Sequence, residues 1–253
     1  GADNAPTCGL DWATPCDLEY ALASRVSEGD EIWPKAGTYT PSGADEASRS
    51  FHLTSGVGLY GGFAGNETER SQRDWESNLT LLQGIHILDH QIFVIRSVQT
   101  SEATVLDGFT VTGDMGMDVD EGYLTLRSMT FRDNTDGNSG PAGIMNIRGT
   151  ITIENSQLIN NHRYMGAAIS SQSGFMSIKD TLFQGYMSSE GYGGAIYNVH
   201  SNHIEIENSS FIENSAESGG VIFNDESTVT FTNSLFYGNS ASDFGGAIAN
   251  DYG

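Results

Sequence analysis

Short runs of alternating apolar and polar residues recur along the second half of the chain. Leu124 and Leu126, Ile151 and Ile153, Met176 and Ile178, Ile204 and Ile206, and Val229 and Phe231 each flank one polar residue. A period of two is that of a strand with one buried face. The runs belong to a longer unit. Its isoleucine position falls at Ile144, Ile169, Ile196, Ile222 and Ile248, in steps of 25, 27, 26 and 26. Its large apolar position falls at Phe131, Leu158, Phe183, Phe211 and Phe236, in steps of 27, 25, 28 and 25. A fixed period with small changes in loop length marks a repeat architecture.

The period is too short for a helix pair with its turns. Gly and Asn between the strands supply corners with positive φ. Three short strands and three corners per turn predict an all-β fold, a right-handed parallel β-helix of about eight coils, whose stacking buries the apolar side that no coil buries alone. At about 4.8 Å per coil the rod is roughly 40 Å long. The same geometry stacks asparagines. Asn155, Asn208 and Asn233, with Asp180 in the same slot, share one corner. Asn134, Asn161, Asn214 and Asn239 share a second, and Asn146, Asn198, Asn224 and Asn250 a third. Side-chain amides bonded to neighbours above and below make such ladders structural.

The N-terminal region differs. Residues 16–28 carry an apolar stripe of Leu18, Tyr20, Ala21, Leu22 and Val26, stopped by Gly29, and predict a helix. It is expected to cap the first coil, whose open edge would otherwise recruit strands. Cys8 and Cys16 are the two cysteines. A disulfide between them is expected to tie down the terminus if the compartment is oxidising, the alternatives being a metal pair or two free thiols. A metal pair would need further ligands, and no Cys or His cluster is near. The expected organisation is a cap over 1–30 and a β-helix over 31–253, irregular to 123 and regular from 124 in repeats of 25–28 residues. The polar excursion 65–78 is expected to fold back on the flank through Arg70, Arg73, Asp74 and the Trp75 indole.

Charge narrows the functional classes. Eleven basic residues against 33 acidic ones give a net charge of -22. Nucleic-acid binding requires a basic footprint, and adhesion to anionic lipid requires basic residues, so both are excluded as expectations. No apolar run reaches the ~18 residues of a membrane-spanning helix, and no membrane insertion is expected. An acidic surface suits solubility or divalent cations.

The carboxylates Asp107, Asp114, Asp118, Asp120 and Glu121 are the candidates for catalysis. A glycosidase needs two carboxylates about 5 to 10 Å apart, and a calcium-dependent lyase needs an acidic cluster with a basic proton acceptor. Arg96, Arg127, Arg132 and Arg148 are the only Lys or Arg between 90 and 150, and no paired Asp or Arg-x-Lys pattern accompanies them. A solvated acidic face accounts for this stretch, and no catalytic residue or organic cofactor is assigned. Asp118, Asp120, Glu121, Asp133 and Asp136 are candidate calcium ligands. The segment 133–138 lacks the alternating carboxylates and closing Glu of a calcium loop. His52, His86, His90, His162, His200 and His203 show no metal-ligand spacing.

The tetrapeptides GGAI at 193–196 and 245–248 and GGVI at 219–222, with FRDN at 131–134, FIEN at 211–214 and FYGN at 236–239, resemble the paired repeats of the polymorphic outer-membrane protein family. PAGI at 141–144, GAAI at 166–169, LINN at 158–161 and FQGY at 183–186 depart from that pattern. YGGFAG and QRDW within 60–75 are similar to the opening coils of secreted bacterial β-helix surface proteins. The resemblance implies a secreted or cell-surface β-helix acting as a structural or adhesive module. Two other readings are a carbohydrate-active or glycan-binding β-helix, and a subunit of an extracellular filament. Glycans or surface proteins are the expected partners. Residues 247–253 follow directly on a complete unit with no cap, so either the natural chain continues past 253, which is the favoured expectation, or self-association covers that uncapped coil.

Overall fold

The structure, a computed structural model, describes residues 8–42, 49–85, 92–113, 115–134, 143–161, 166, 168–200 and 203–251. Three parallel sheets of eight strands each run its length. Consecutive strands pass from the first sheet to the second, then the third, and return to the first one level on. Tyr123–Arg127, Thr130–Arg132 and Ile144–Ile147 make one such circuit. Thr150–Glu154, Gln157–Ile159 and Ile169–Gln172 make the next. Eight strands per sheet are eight levels separated by seven steps, a parallel β-helix as the periodicity requires. A fourth sheet of three strands, Met187–Tyr192, Ser215–Ser218 and Ser240–Phe244, widens the later levels.

The register reproduces the sequence repeat residue for residue. Ile144, Ile169, Ile196, Ile222 and Ile248 are successive partners in the third sheet. Phe131, Leu158, Phe183, Phe211 and Phe236 are successive partners in the second. The aromatic members stack, with ring centroids 4.8 Å apart for Phe183 and Phe211 and 5.1 Å for Phe211 and Phe236. Each spacing is one strand separation, so stacking of identical side chains follows from the repeat. The three inward rows merge into one continuous core.

The asparagine ladders divide into two kinds. Asn155, Asn208 and Asn233 bend the chain in the left-handed region, as do Asp180 and Ser128 at the same corner. The second set does not take that conformation. There the residue before each Asn turns the chain, namely Asp133, Asn160, Glu213 and Gly238, as does Gly185 before Tyr186 at the level between. This frees Asn134, Asn161 and Asn214 to point inward, where they are buried. The third set lies at no corner. Asn146, Asn198, Asn224 and Asn250 sit inside strands, and the turn falls later, at Arg148, Ser173, His200 and Glu226. The expected third corner is therefore a row within the third sheet. Its side chains satisfy buried groups instead of making the bend, as in Asn198 Nδ2 to Asn224 Oδ1 at 2.7 Å.

The paired glycines have a steric cause. Gly219 has φ +67, and a Cβ there would lie 2.2 Å from the Ile222 carbonyl oxygen. One at Gly220 would lie 2.2 Å from the Gly246 oxygen of the next level. The first glycine makes the turn and the second lets successive levels close up.

At the N-terminal end a disulfide joins Cys8 and Cys16. The helix is shorter than the apolar stripe suggests, spanning Leu18–Ser24. Asp17 caps it by accepting from the Tyr20 N–H, and Arg25 ends it. Leu18 and Leu22 enter the core beside Phe51, and the Leu22 carbonyl accepts from Thr54 Oγ1 at 2.5 Å. That engagement stops the helix early: the chain beyond must turn back to begin the first level at Glu31–Ile32. Among the described residues no helix is long and apolar enough to cross a membrane.

Candidate functional site

The excursion from Gly61 to Thr80 forms a shelf on the rod. Its loop is organised by Glu67, whose carboxylate accepts from the N–H groups of Ala64, Gly65 and Asn66 at 2.6, 2.9 and 2.9 Å. Partial burial pushes that carboxyl up, but these N–H groups and its own outweigh the effect and hold it below the ordinary value. A short 3-10 turn, Arg70–Gln72, follows, with Glu69 and Gln72 capping each other's backbone.

Arg73 then fixes the shelf to the rod. Its guanidinium donates to the carbonyls of Gly61 and Asp107, both at 3.2 Å, and to Asp107 Oδ2 at 2.6 Å. The two side chains are only 11% and 9% exposed. Asp74 N–H donates to the Gly62 carbonyl at 2.8 Å. Gly62 itself has φ +94, and a Cβ there would come within 2.8 Å of Trp75 backbone atoms. Only glycine lets the shelf lie this close.

Trp75 stands on this clamped backbone and is 40% exposed. Arg70 and Arg73 are thus ion-paired as the sequence suggests, but Asp74 accepts from the Glu76 and Ser77 N–H groups instead, and the indole is not packed away. Arg73 lies over its ring at 5.0 Å from the centroid, and Arg70 lies over Tyr60 at 4.3 Å. On one side Trp75 borders an open cleft of about 510 Å3, with Glu31, Arg70, Ser71 and Arg73. Arg70 pairs with Glu31 across it. On the other side it heads a groove of about 200 Å3 that runs over three levels. Thr110, Thr130 and Gln157, successive partners in the second sheet, lie along that groove. Ser128 and Asn155, at the corner, border it.

The acidic candidates are not gathered into a site. Asp107 ends a strand of the first sheet and holds Arg73. Asp118 lies in the third sheet, buried, and pairs with Arg96 at 2.9 Å. Burial raises its carboxyl above the ordinary aspartate value, with Asp120 adding to the rise and Arg96 opposing it. Asp120 and Glu121 both bind Arg148, at 3.1 and 2.9 Å. Asp133 pairs with its neighbour Arg132 at 3.3 Å. Asp114 and Asp136 lie outside the described residues, as do His86, His90 and His162. Among the described residues no three His, Cys, Asp or Glu side chains converge as metal ligands. The sequence signal for the groove was a tryptophan in a polar excursion. The hydroxyl row behind it became visible only with the register.

The Chlamydia polymorphic membrane protein repeat matches residues 229–251, which include the last FxxN and GGAI tetrapeptides. No curated protein matches the chain. Among solved structures, a crystal structure of pectate lyase Pel9A superposes with a TM-score of 0.57, covering 96% of this chain and 76% of that one at 15% identity. At that identity the likeness is one of fold. The chain is thus a parallel β-helix carrying a repeat of the polymorphic membrane protein type.

Proposed function

We propose that the chain is a non-enzymatic module of a secreted or cell-surface bacterial β-helix, with a structural and adhesive role. The observation that carries this reading is the repeat at 229–251, whose namesake is a membrane protein of a bacterium. The Cys8–Cys16 disulfide supports an oxidising compartment outside the cytosol. The net charge of -22 suits an exposed, soluble surface.

The enzymatic alternative draws on the pectate lyase neighbour, and fold does not carry activity. A lyase of that class needs a cation site and a free base. Here Asp107, Asp118, Asp120, Glu121 and Asp133 each face an arginine. Such pairing leaves these carboxylates engaged with the chain's own guanidinium groups.

Incubation with polygalacturonate and calcium checks the enzymatic side. No unsaturated uronide should accumulate by ultraviolet absorbance, and accumulation in proportion to the purified protein, absent from a heat-denatured control, would overturn the non-enzymatic reading. Antibody labelling of intact producing cells checks location. Labelling only after permeabilisation would overturn the surface assignment.

A further inference from the structure

We propose that the groove headed by Trp75 binds a neutral linear polysaccharide lying along the rod axis. The proposal deepens, and rests on, the reading of the chain as an adhesive module.

Three observations carry it. The first is the exposed indole. Trp75 is 40% exposed; with Arg73 over one face of its ring, the opposite apolar face and polar edge suit the C–H face of a sugar ring. It is held in place before any ligand arrives. Arg73 makes two hydrogen bonds to Asp107 of the rod and a third to the Gly61 carbonyl at the foot of the shelf, and the backbone seats on Gly62 without space for a side chain. A site ordered in advance loses little entropy on binding.

The second is the floor. Thr110, Thr130 and Gln157 are in register on successive levels, so hydroxyl and amide groups recur at about 4.8 Å along the groove. A polymer of sugars presents hydroxyls at regular intervals along its own length. A single small molecule would use only one such rung. Ser128 and Asn155 add polar groups on the corner side.

The third is charge. Glu76 is the only charged residue among those lining the groove. The neighbouring arginines are engaged, Arg70 with Glu31 and Arg73 with Asp107. A polyanion finds no unpaired cation in the groove lining and meets a surface of net charge -22. A neutral chain meets neither obstacle.

Native affinity electrophoresis tests this, with gels cast in hydroxyethylcellulose, galactomannan or polygalacturonate. At least one neutral polymer should retard the chain, and polygalacturonate should not. Trp75→Ala should weaken the retardation at least tenfold in apparent Kd, and Gln157→Ala severalfold. Tyr123→Ala, an exposed aromatic on the first sheet, should migrate like the parent. Circular dichroism reports whether each variant is folded, and Gln157→Ala carries the test if Trp75→Ala is not. Absence of retardation in both neutral gels, equal retardation of the Trp75 and Gln157 variants and the parent, or retardation by polygalacturonate alone would overturn the site. Any of these leaves the structural-module reading standing. Retardation accompanied by release of new reducing ends would instead overturn the non-enzymatic reading and keep the site.

Discussion

Asn161 shows what one polar residue does inside this rod. It is fully buried, and its amide makes four hydrogen bonds. Oδ1 accepts from the N–H and the Nδ2 of Asn134, at 3.0 and 2.8 Å. Nδ2 donates to the Phe131 carbonyl at 3.0 Å and to Tyr186 Oη at 2.9 Å. Tyr186 takes the place of an asparagine at the next level, and its N–H donates to Asn214 Oδ1 at 3.3 Å. Burial and the Asn161 bond act in opposite directions on its phenol, and burial wins, raising it well above its ordinary value. Asn161→Ala leaves several buried groups without partners, each costing about 1–3 kcal/mol. A loss of ~3 kcal/mol or more is expected, about 6–12 °C in Tm for a chain of this size. Asn233→Ala removes one exposed bond, Nδ2 to Asn208 Oδ1 at 2.7 Å, and places alanine at φ 50. The left-handed strain there is about 1–2 kcal/mol. Scanning calorimetry of both variants checks the ranking, and equal losses would contradict the division between inward and corner asparagines.

At the scale of the element, the first loop of the shelf is held by local bonds more than by burial. It depends on the Glu67 carboxylate, whose folded-state value lies below the ordinary 4.5. For a lowered carboxyl, the contribution to stability is present above the ordinary value and is lost as pH falls through the folded one. Acidification below pH 4.5 should therefore release residues 64–67 while the sheets persist. Trp12 reports on this, because its Nε1 donates to the Glu67 carbonyl at 2.8 Å and its ring meets Phe63 at 5.6 Å. A fluorescence step is expected at higher pH than the loss of β-sheet circular dichroism. Glu67→Gln should remove that step. Coincident transitions in the parent would mean that the loop and the rod unfold together.

The whole molecule sets two forces against each other. Strands Thr228–Thr232, Leu235–Tyr237 and Ile248–Asp251 each stand at the end of a sheet among the described residues. Leu235 and Tyr237 are 53% and 65% exposed there, and Phe244, on the last strand of the fourth sheet, is 61% exposed. Open strand edges with apolar side chains recruit other strands. The net charge of -22 opposes that approach. Screening shortens the reach of repulsion from about 10 Å at 0.1 M salt to about 3 Å at 1 M and leaves backbone pairing intact. We propose that such edges pair when nothing covers them; for residues 1–253 taken by themselves, sedimentation velocity should then show association that rises with concentration and with salt. A single sharp monomer under all conditions would contradict it.

The sequence alone determined the architecture, because a solenoid couples each residue to its own counterpart one repeat away. The isoleucine and phenylalanine series could be counted in the chain, and the register places those same residues against each other. The glycine pairs were legible for the same reason. What a period does not specify is where within the repeat the chain bends. Asn198 and Asn208 are both asparagines of the repeat, yet one is a buried strand residue and the other turns the chain. Asparagine fits either role, so composition left them alike, and only the packed core decided which side chains point inward. The shelf belongs to no repeat. The pairing of Arg73 with Asp107 spans 34 residues, and the row of Thr110, Thr130 and Gln157 exists only once levels are stacked. Long-range contacts of this kind have no local signature. The exposure of Trp75 and the groove beside it were decided by tertiary structure.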